Sequence, residues 1–399
     1  MIIVHKYGGT SVATTEKIMN IAKYLGSVKD AGNDVVVVVS AMGKTTDALI
    51  KLAHEITENP SSREMDRLMS TGEQQTISLL SIALQTLGYD AISLTGAQAG
   101  IKTSGHYMKN RIDNIDANSI KKHLNSGKIV VVAGFQGVNE AGDVTTLGRG
   151  GSDTSAVALA AAIGAPCEIY TDVTGVFGTD PRIYKAARQL SQVSYEEMLE
   201  LSALGAGVLE TRCVEIAKNY NVPLYLGKTL SDTKGTWIMA NTDLLEKKVV
   251  TGVALDRDIL HVTLACSDIG TNFVEELFNQ LDRFSVNIDM ISQIVSGDDM
   301  NVSFTCKDTD RNFLNQILDS LNDKFSGIKY SVRTDCAKVS IVGSGMRDVS
   351  GVAARAFRLL CSNGINFYQV TTSEISISYA IDKDLSEKAV ILLCKEFNI

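Results

Sequence analysis

The sequence predicts an α/β protein: an open, mainly parallel sheet flanked by helices, followed by two β-α-β-β-α-β modules. Three observations carry this expectation. Short β-branched runs alternate with stretches of helical apolar spacing up to about residue 245, the pattern of an α/β domain. Beyond that point the order becomes β-α-β-β-α-β. That order is then repeated, which marks an internal duplication. With 399 residues, 45% hydrophobic and 21% charged, and only four prolines, the chain has the balance of ordered globular domains, two or three of them by length.

Taken in order, Ile2 to Lys6 is a strand, and Ile18, Ile21, Ala22, Leu25 and Val28 recur at helical spacing. Val35 to Val39 is an unbroken β-branched run of the kind buried on both faces. Further strands are expected at Ala91 to Leu94, Ile129 to Ala133, Glu168 to Thr171 and Pro223 to Leu226, with helices between them. Ligands of such a sheet bind at the carboxyl ends of its strands. The first module reads as strands at Ile259 to Ala265, Val286 to Ile294, Met300 to Cys306 and Ile328 to Thr334, with helices at Gly270 to Phe284 and Thr309 to Asp323. The second reads as Lys338 to Val342, a helix Val349 to Ser362, Ile365 to Thr371, Glu374 to Ile381 and a helix Leu385 to Phe397, one strand short. Asn287-Ile288-Asp289 is read as the counterpart of Gly364-Ile365-Asn366, and Lys248 to Leu255 as the strand that completes the second module. The expected organisation is 1–245, a connecting segment at 246–258, and modules at 259–335 and 336–399.

Composition excludes several classes. A net charge of −8 leaves no global footprint for nucleic acid or an anionic membrane, so any phosphate ligand must be held locally. Seven scattered cysteines without a C-x-x-C pair point to free thiols in a reducing cytoplasm. The start MIIVHKYGG is a strand rather than a signal peptide, and no run of about 18 apolar residues marks a membrane span. The five histidines form no metal-ligand spacing, and no protein metal cage is expected.

Several segments at expected strand ends carry chemistry. Lys6-Tyr7-Gly8-Gly9-Thr10-Ser11 offers a cation and two glycines that allow close backbone approach to a phosphate, although a glycine turn after a first strand can be only a turn. Ser40-Ala41-Met42-Gly43-Lys44-Thr45-Thr46-Asp47 is not a P-loop, because Val38 stands where the first glycine is required. Its hydroxyls can meet a substrate, or Thr46 can cap the next helix. Ser70-Thr71-Gly72-Glu73 has capping-box form; alternatively Glu73 holds an ammonium group. Gly148-Arg149-Gly150-Gly151-Ser152-Asp153-Thr154 leads into a small-residue helix at Ser155 to Ile163, so free amides and the helix dipole converge as an anion site. Arg149 adds a fork suited to a carboxylate, while Ser152 and Asp153 can act as caps. Thr171-Asp172-Val173-Thr174-Gly175-Val176-Phe177-Gly178-Thr179-Asp180-Pro181-Arg182 can hold a nucleotide, or be an ordinary turn.

In this order, KYGGTS, SAMGKTTD, STGE, GRGGSDTSA and TDVTGVFGTDPR, ahead of the duplicated tail, resemble the aspartate kinases of the amino acid kinase family. The resemblance spans essentially the whole chain. It implies an amino acid kinase-type sheet with two ferredoxin-like ACT modules, and transfer of the ATP γ-phosphoryl group to the β-carboxylate of L-aspartate at the head of lysine, threonine and methionine biosynthesis. It implies that Lys6, Gly9 and Asp153 are catalytic, and that Thr46, Glu73, Arg149, Gly150, Gly151 and Ser152 bind aspartate. Lys6, Tyr7, Gly8, Gly9, Ser40, Thr171, Asp172, Phe177, Gly178, Thr179, Asp180, Pro181 and Arg182 would line the ATP site, with Mg²⁺ riding on the phosphates. A feedback amino acid, lysine rather than threonine, would sit near Asp268, Gly270, Asn287, Ile288, Asp289, Met290, Ile291, Gln293, Ile365 and Asn366. ACT modules would pair the chain into a homodimer or a dimer of dimers.

Two departures stand out. The family's GAKVLHP is replaced by Gly205-Ala206-Gly207-Val208-Leu209-Glu210-Thr211, which loses a lysine that Lys228 or Lys185 can replace. Phe177 stands where the family often has tyrosine. The first departure leaves a second expectation open, a non-catalytic amino acid sensor with a degenerate kinase domain.

Overall fold

The computed structural model describes residues 1–240, 249–267, 272–297, 299–325, 327–347 and 349–399. The chain divides into two compact units. The first comprises Met1–Val176, Gln189–Ser202 and the stretch that starts at Gly207. The second comprises Phe177–Arg188, Ala203–Ala206 and the chain through Ile399.

In the first unit the elements run β1 (Ile2–Tyr7), α1 (Thr15–Asp30), β2 (Asp34–Val39), α2 (Thr45–Ile56), α3 (Ser62–Thr86), β3 (Ala91–Leu94), β4 (Ile101–Ser104), β5 (Arg111–Ile115), α4 (Asn118–Asn125), β6 (Ile129–Ala133), β7 (Gln136–Val138), β8 (Val144–Thr146), α5 (Gly151–Ile163), β9 (Cys167–Thr171), β10 (Gln192–Ser194), α6 (Tyr195–Leu201), α7 (Thr211–Asn219), β11 (Leu224–Lys228) and β12 (Thr236–Met239). The main sheet has the order β10-β12-β11-β9-β1-β2-β6-β3. Its strands are parallel except that β11 and β12 run antiparallel. The valine run forms β2, buried along all but its first residue, because a central parallel strand has helices on both faces.

Alternation along β1 sorts its side chains. Tyr7 turns toward the core built with Ile18, Ile21 and Leu25 of α1 and Ile77, Leu80 and Leu84 of α3. Lys6 turns the other way, toward α5. Helix α5 is rich in Ser and Ala and ends on Gly164 in the left-handed conformation, so its backbone can come close to the sheet centre.

Two local expectations change. The S-x-x-E box does not start a helix: α3 runs unbroken through it, because Met65, Met69, Glu73, Ile77, Leu80 and Leu84 form one buried stripe. A second sheet of order β5-β4-β7-β8, unforeseen in sequence, is built from strands too short and too polar to show an apolar pattern.

The second unit contains β13 (Gly252–Asp256), β14 (Ile259–Ser267), α8 (Asn272–Arg283), β15 (Ile288–Ser296), β16 (Asp299–Lys307), α9 (Arg311–Lys324), β17 (Lys329–Arg333), β18 (Cys336–Val342), α10 (Val352–Ser362), β19 (Phe367–Thr372), β20 (Ser376–Asp382) and α11 (Ser386–Glu396). Its antiparallel sheets have the orders β15-β16-β14-β17 and β13-β18-β20-β19. The orders coincide when β13 takes the place of β17. Ile288 lies opposite Cys306 and Phe367 opposite Ile381. The counterpart of Asn287 is therefore Asn366 rather than Gly364, two residues further along than the sequence pattern suggests.

Leu80 is fully buried between α3 and the sheet. Leu80→Ala should destabilise the first unit by about 2–5 kcal/mol through lost transfer energy and a cavity. Denaturant unfolding checks this; a loss below about 1 kcal/mol would mean the α3 contact is loose.

Candidate active site

The carboxyl ends of β1, β2, β6, β9 and β11 lie along one edge of the main sheet, since Tyr7 pairs with Val39 and Tyr170, Val39 with Ala133, and Thr171 with Lys228. The loops after them are laced together. Ser40 donates its amide to Tyr7 O at 3.2 Å, Gly43 to Gly9 O at 3.0 Å and Gly8 to Tyr170 O at 3.2 Å. The Ser11 and Thr229 hydroxyls lie 2.6 Å apart, and Thr229 also bonds Thr171 O. A Cβ on Gly9 would come within 2.8 Å of Ala41 O, so this glycine is required for two loops to touch.

At the centre of that edge Lys6 Nζ lies 2.5 Å from Asp153 Oδ1. The lysine is 7% exposed, and a buried ammonium without such a partner would be strongly disfavoured. Asp153 stands in the first turn of α5, whose N-cap is Gly150 at φ 63° with no side-chain cap bond. Ser152 and Asp153 therefore do not cap the helix, contrary to one of the two sequence readings. Their amides fall where helical geometry leaves N–H groups without an intrahelical acceptor. Gly150 has a second reason to be glycine: a Cβ there would lie 1.7 Å from Glu210 Cγ. Arg212, two residues further on, donates to Leu147 O at 3.2 Å. The Arg149 side chain itself is exposed.

Glu73 reaches the same edge from α3. Its Oε1 accepts the Ala41 amide at 3.0 Å, and Oε2 is buried with no hydrogen-bond partner. The capping-box bond to the Ser70 amide is not made, because Ser70 is mid-helix. Burial raises the carboxyl's pKa to about 7, only partly offset by backbone hydrogen bonds that include Ala41 N–H. A carboxylate raised in this way lacks a cation. Thr46 is half-buried in the first turn of α2, whose N-cap is Lys44, so Thr46 is not the cap.

The structure thus brings Lys6, Tyr7, Gly8, Gly9, Ser40, Asp153, Gly150, Gly151, Ser152, Thr171 and Asp172 to the strand-end loops of one unit. Thr171 bonds its own neighbour, Oγ1 to Asp172 Oδ1 at 3.1 Å. Phe177, Gly178, Thr179, Asp180, Pro181 and Arg182 group instead with the second unit. There Gly178 O accepts from Val253 N at 2.7 Å, and Gly178 leaves no room for a Cβ beside Ile399. Arg182 is folded back on Asp180, with Nη2 to Oδ2 at 2.7 Å. That contact holds the Asp180 carboxyl below its usual range.

Of the expected effector residues, Asp268 and Gly270 lie outside the described residues. Asn287, Ile288, Asp289, Met290, Ile291 and Gln293 lie on or beside the bulged start of β15, where Met290 takes φ 50°. Asp289 forms an ion pair with Lys338 of β18, and Gln369 of β19 donates to Met290 O. Burial works to raise the Asp289 carboxyl, but Lys338 outweighs it and the net shift is downward. Ile365 is fully buried in the second module's core, so only its backbone is available to a ligand, while Asn366 is exposed.

Sequence reasoning missed Asp66, Thr146 and Arg212. Asp66 was detectable as an acid on the apolar stripe of α3; nothing in the local pattern marks the other two.

The buried lysine–aspartate pair lies beside the amide-lined start of α5, and comparison with known proteins places the chain in a family. Residues 1–228 match the model of the amino acid kinase family, and residues 339–397 match an ACT domain. The chain belongs to the amino acid kinase family and is a phosphotransferase. Within the family it falls among the aspartokinases. It is 48% identical over 400 residues to an aspartokinase of Bacillus sp. (strain MGA3), covering 100% of this chain and 97% of that one. It is 47% identical over 399 residues to aspartokinase 2 of Bacillus subtilis, covering 100% and 98%. The fold is that of E. coli aspartokinase III solved with aspartate and ADP, with a TM-score of 0.84 at 24% identity and all of both chains covered. The lysine- and aspartate-bound form of that enzyme gives a TM-score of 0.78 at 24% identity, covering 99% of each chain. No described helix is long and apolar enough to cross a membrane.

The Glu73 shift has a stability consequence. The folded pKa of about 7 lies above the ordinary value of 4.5, so between those limits the folded state holds the proton more tightly and stability falls as pH rises. Glu73→Gln should abolish this loss, raising the melting temperature relative to wild type at pH 8 but not at pH 4.5. Equal differences at both pH values would show that Glu73 is ionised throughout.

Proposed function

We propose that the chain transfers the γ-phosphoryl group of ATP to the β-carboxylate of L-aspartate, giving 4-phospho-L-aspartate and ADP. The observation that carries this reading is the pairing of Lys6 with Asp153 at the centre of the strand-end edge, one loop from a buried carboxylate that lacks a cation. Aspartate's side chain, with a solution pKa of ~3.9, is already an anionic nucleophile at neutral pH, so no general base is needed. One β-carboxylate oxygen forms the new P–O bond, and the bond from the γ-phosphorus to the bridging oxygen breaks with its electron pair leaving on ADP. The obstacle is repulsion between an anion and a polyanion, and positioning with charge neutralisation is what removes it.

Each residue then has a task. Lys6 neutralises the transferring group, and Asp153 aims its ammonium. Gly8, whose own amide is held by Tyr170 O, and Gly9 let phosphoryl oxygens come close to the loop, the amides of Ser152 and Asp153 at the start of α5 receive them, and Ser40 adds a hydroxyl. Glu73 takes the α-ammonium of aspartate on Oε2, Arg149 takes the α-carboxylate, and Thr46 contacts the substrate. Thr171 and Asp172 meet the nucleotide. Gly207 has φ 59°, a conformation unfavourable for a lysine. The exposed Lys228, in register with Thr171, supplies a cation at the same edge. Among the described residues no group of three His, Cys, Asp or Glu side chains could hold a metal ion. Magnesium would ride on the nucleotide's own phosphates, since it dehydrates reluctantly and seldom enters all-protein cages. The ACT modules would take a feedback amino acid, lysine before threonine, at the β15 bulge, in a dimer or dimer of dimers in the cytoplasm, at the head of lysine, threonine and methionine synthesis.

Protein supplied with Mg-ATP should release ADP with aspartate but not with glutamate or carbamate, and hydroxylamine should trap the product as a hydroxamate. No aspartate-dependent ADP would favour the sensor reading. Lys6→Ala should lower kcat by about 10²–10³-fold with the fold retained, the scale of losing one preorganised electrostatic partner; near-normal turnover would remove Lys6 from its role. Aspartate binding should also tighten as pH rises through about 7, where Glu73 loses its proton, and Glu73→Gln should flatten that profile in calorimetric titrations from pH 6 to pH 8.

A further inference from the structure

The most deeply buried unassigned carboxylate of the first unit is Asp66, with no exposed surface. It lies on α3 seven residues before Glu73. Seven residues turn an α-helix through nearly two full turns, so the two acids share one face about 10 Å apart along the axis. Every bond found for Asp66 goes to a donor near the arginine loop. Its Oδ1 and Oδ2 accept the Met108 amide at 2.9 and 3.1 Å. Oδ2 also accepts the Thr146 amide at 3.0 Å, and Oδ1 the Thr146 hydroxyl at 2.5 Å.

Thr146 ends β8, three residues before Arg149. Met108 is held at φ 69°, and its carbonyl oxygen lies 3.2 Å from where a Cβ on Gly148 would be, Gly148 itself having φ 79°. Asp66 thus holds the two chain segments between which the turn into Gly148-Arg149 is set. Two backbone amides and a hydroxyl converging on one carboxylate form a rigid knot, since charge-assisted hydrogen bonds are stronger than neutral ones.

We propose that Asp66 is a positioning residue that sets the reach of Arg149 relative to Glu73, and so makes the site selective for a ligand carrying an ammonium and a carboxylate on one carbon. This rests on the aspartate reading given above, in which Arg149 and Glu73 hold the two ends of that group. Asp66 touches no substrate: it acts by fixing the helix that bears one ligand group to the loop that bears the other. A nucleotide held at the strand-end loops does not use this spacing.

The test is steady-state kinetics of the full chain with both substrates varied. Asp66→Asn keeps the side chain's shape but turns one acceptor oxygen into an NH₂ group facing N–H donors. It should raise the KM for aspartate about tenfold while the KM for ATP stays within about twofold, a loss of uniform substrate binding confined to one ligand. Thr146→Val removes only the hydroxyl bond and should raise the aspartate KM about threefold, keeping the test open if the first variant does not fold. An unchanged aspartate KM in Thr146→Val, or a parallel rise in both KM values with a lowered melting temperature in either variant, would overturn the proposal and leave Asp66 a stability residue. Wild type that turns over aspartate alongside unaffected variants sinks this inference alone; wild type inert toward aspartate sinks the functional reading beneath it.

Discussion

One ammonium, nearly excluded from water at the end of the central strand, constrains everything around it. Lys6 is 7% exposed and has Asp153 at 2.5 Å. A charge so placed must be compensated, and its removal from a buried pair leaves the partner exposed to a large desolvation penalty. The pair therefore ties β1 to the first turn of α5 and fixes where the helix's free amides point. Small side chains along α5 make the approach possible, and Gly150 in the left-handed region starts the helix without a side-chain cap.

From that point the architecture separates two problems. In the proposed reaction a lysine and backbone dipoles at the strand ends would supply positive potential for phosphates, in a chain whose net charge is −8. Recognition of the amino acid is assigned to residues held from α3 and the loop after β8. Glu73, whose pKa burial raises to about 7, is proposed to take the ligand's ammonium group, whose charge would offset that burial. The segment after Val176 groups with the second unit, where Val253 and Ile399 hold Gly178.

Much of this was legible in the residues. The β-branched runs at 35–39 and 129–133 announced buried parallel strands, and the segments at Lys6, Ser40 and Thr171 were legible as strand ends, whereas the glycine-rich run at Arg149 was legible only as a helix start. Local patterns failed where tertiary packing overruled them. Ser70 to Glu73 carries the letters of a helix start, yet the buried stripe on both sides carries α3 through it. The second sheet, with strands such as Arg111–Ile115, has too little apolar periodicity to be seen. The register between modules was misjudged by two residues at the helix-to-strand corner, where short matching motifs do not fix the alignment that cross-strand pairing shows. Gly150 was read as part of an anion site at a helix start, and the structure adds Glu210 as a steric reason that depends on a residue sixty positions away.

The central claim is that the transferring phosphoryl group docks between the Lys6 ammonium and the first turn of α5. A crystal structure with aspartate and a non-hydrolysable ATP analogue tests it most directly. The account predicts a terminal phosphate oxygen within hydrogen-bonding reach of Lys6 Nζ and of an α5 amide, with an aspartate β-carboxylate oxygen in line behind the phosphorus. A terminal phosphate bound away from both groups, with Lys6 still closed on Asp153, would contradict it.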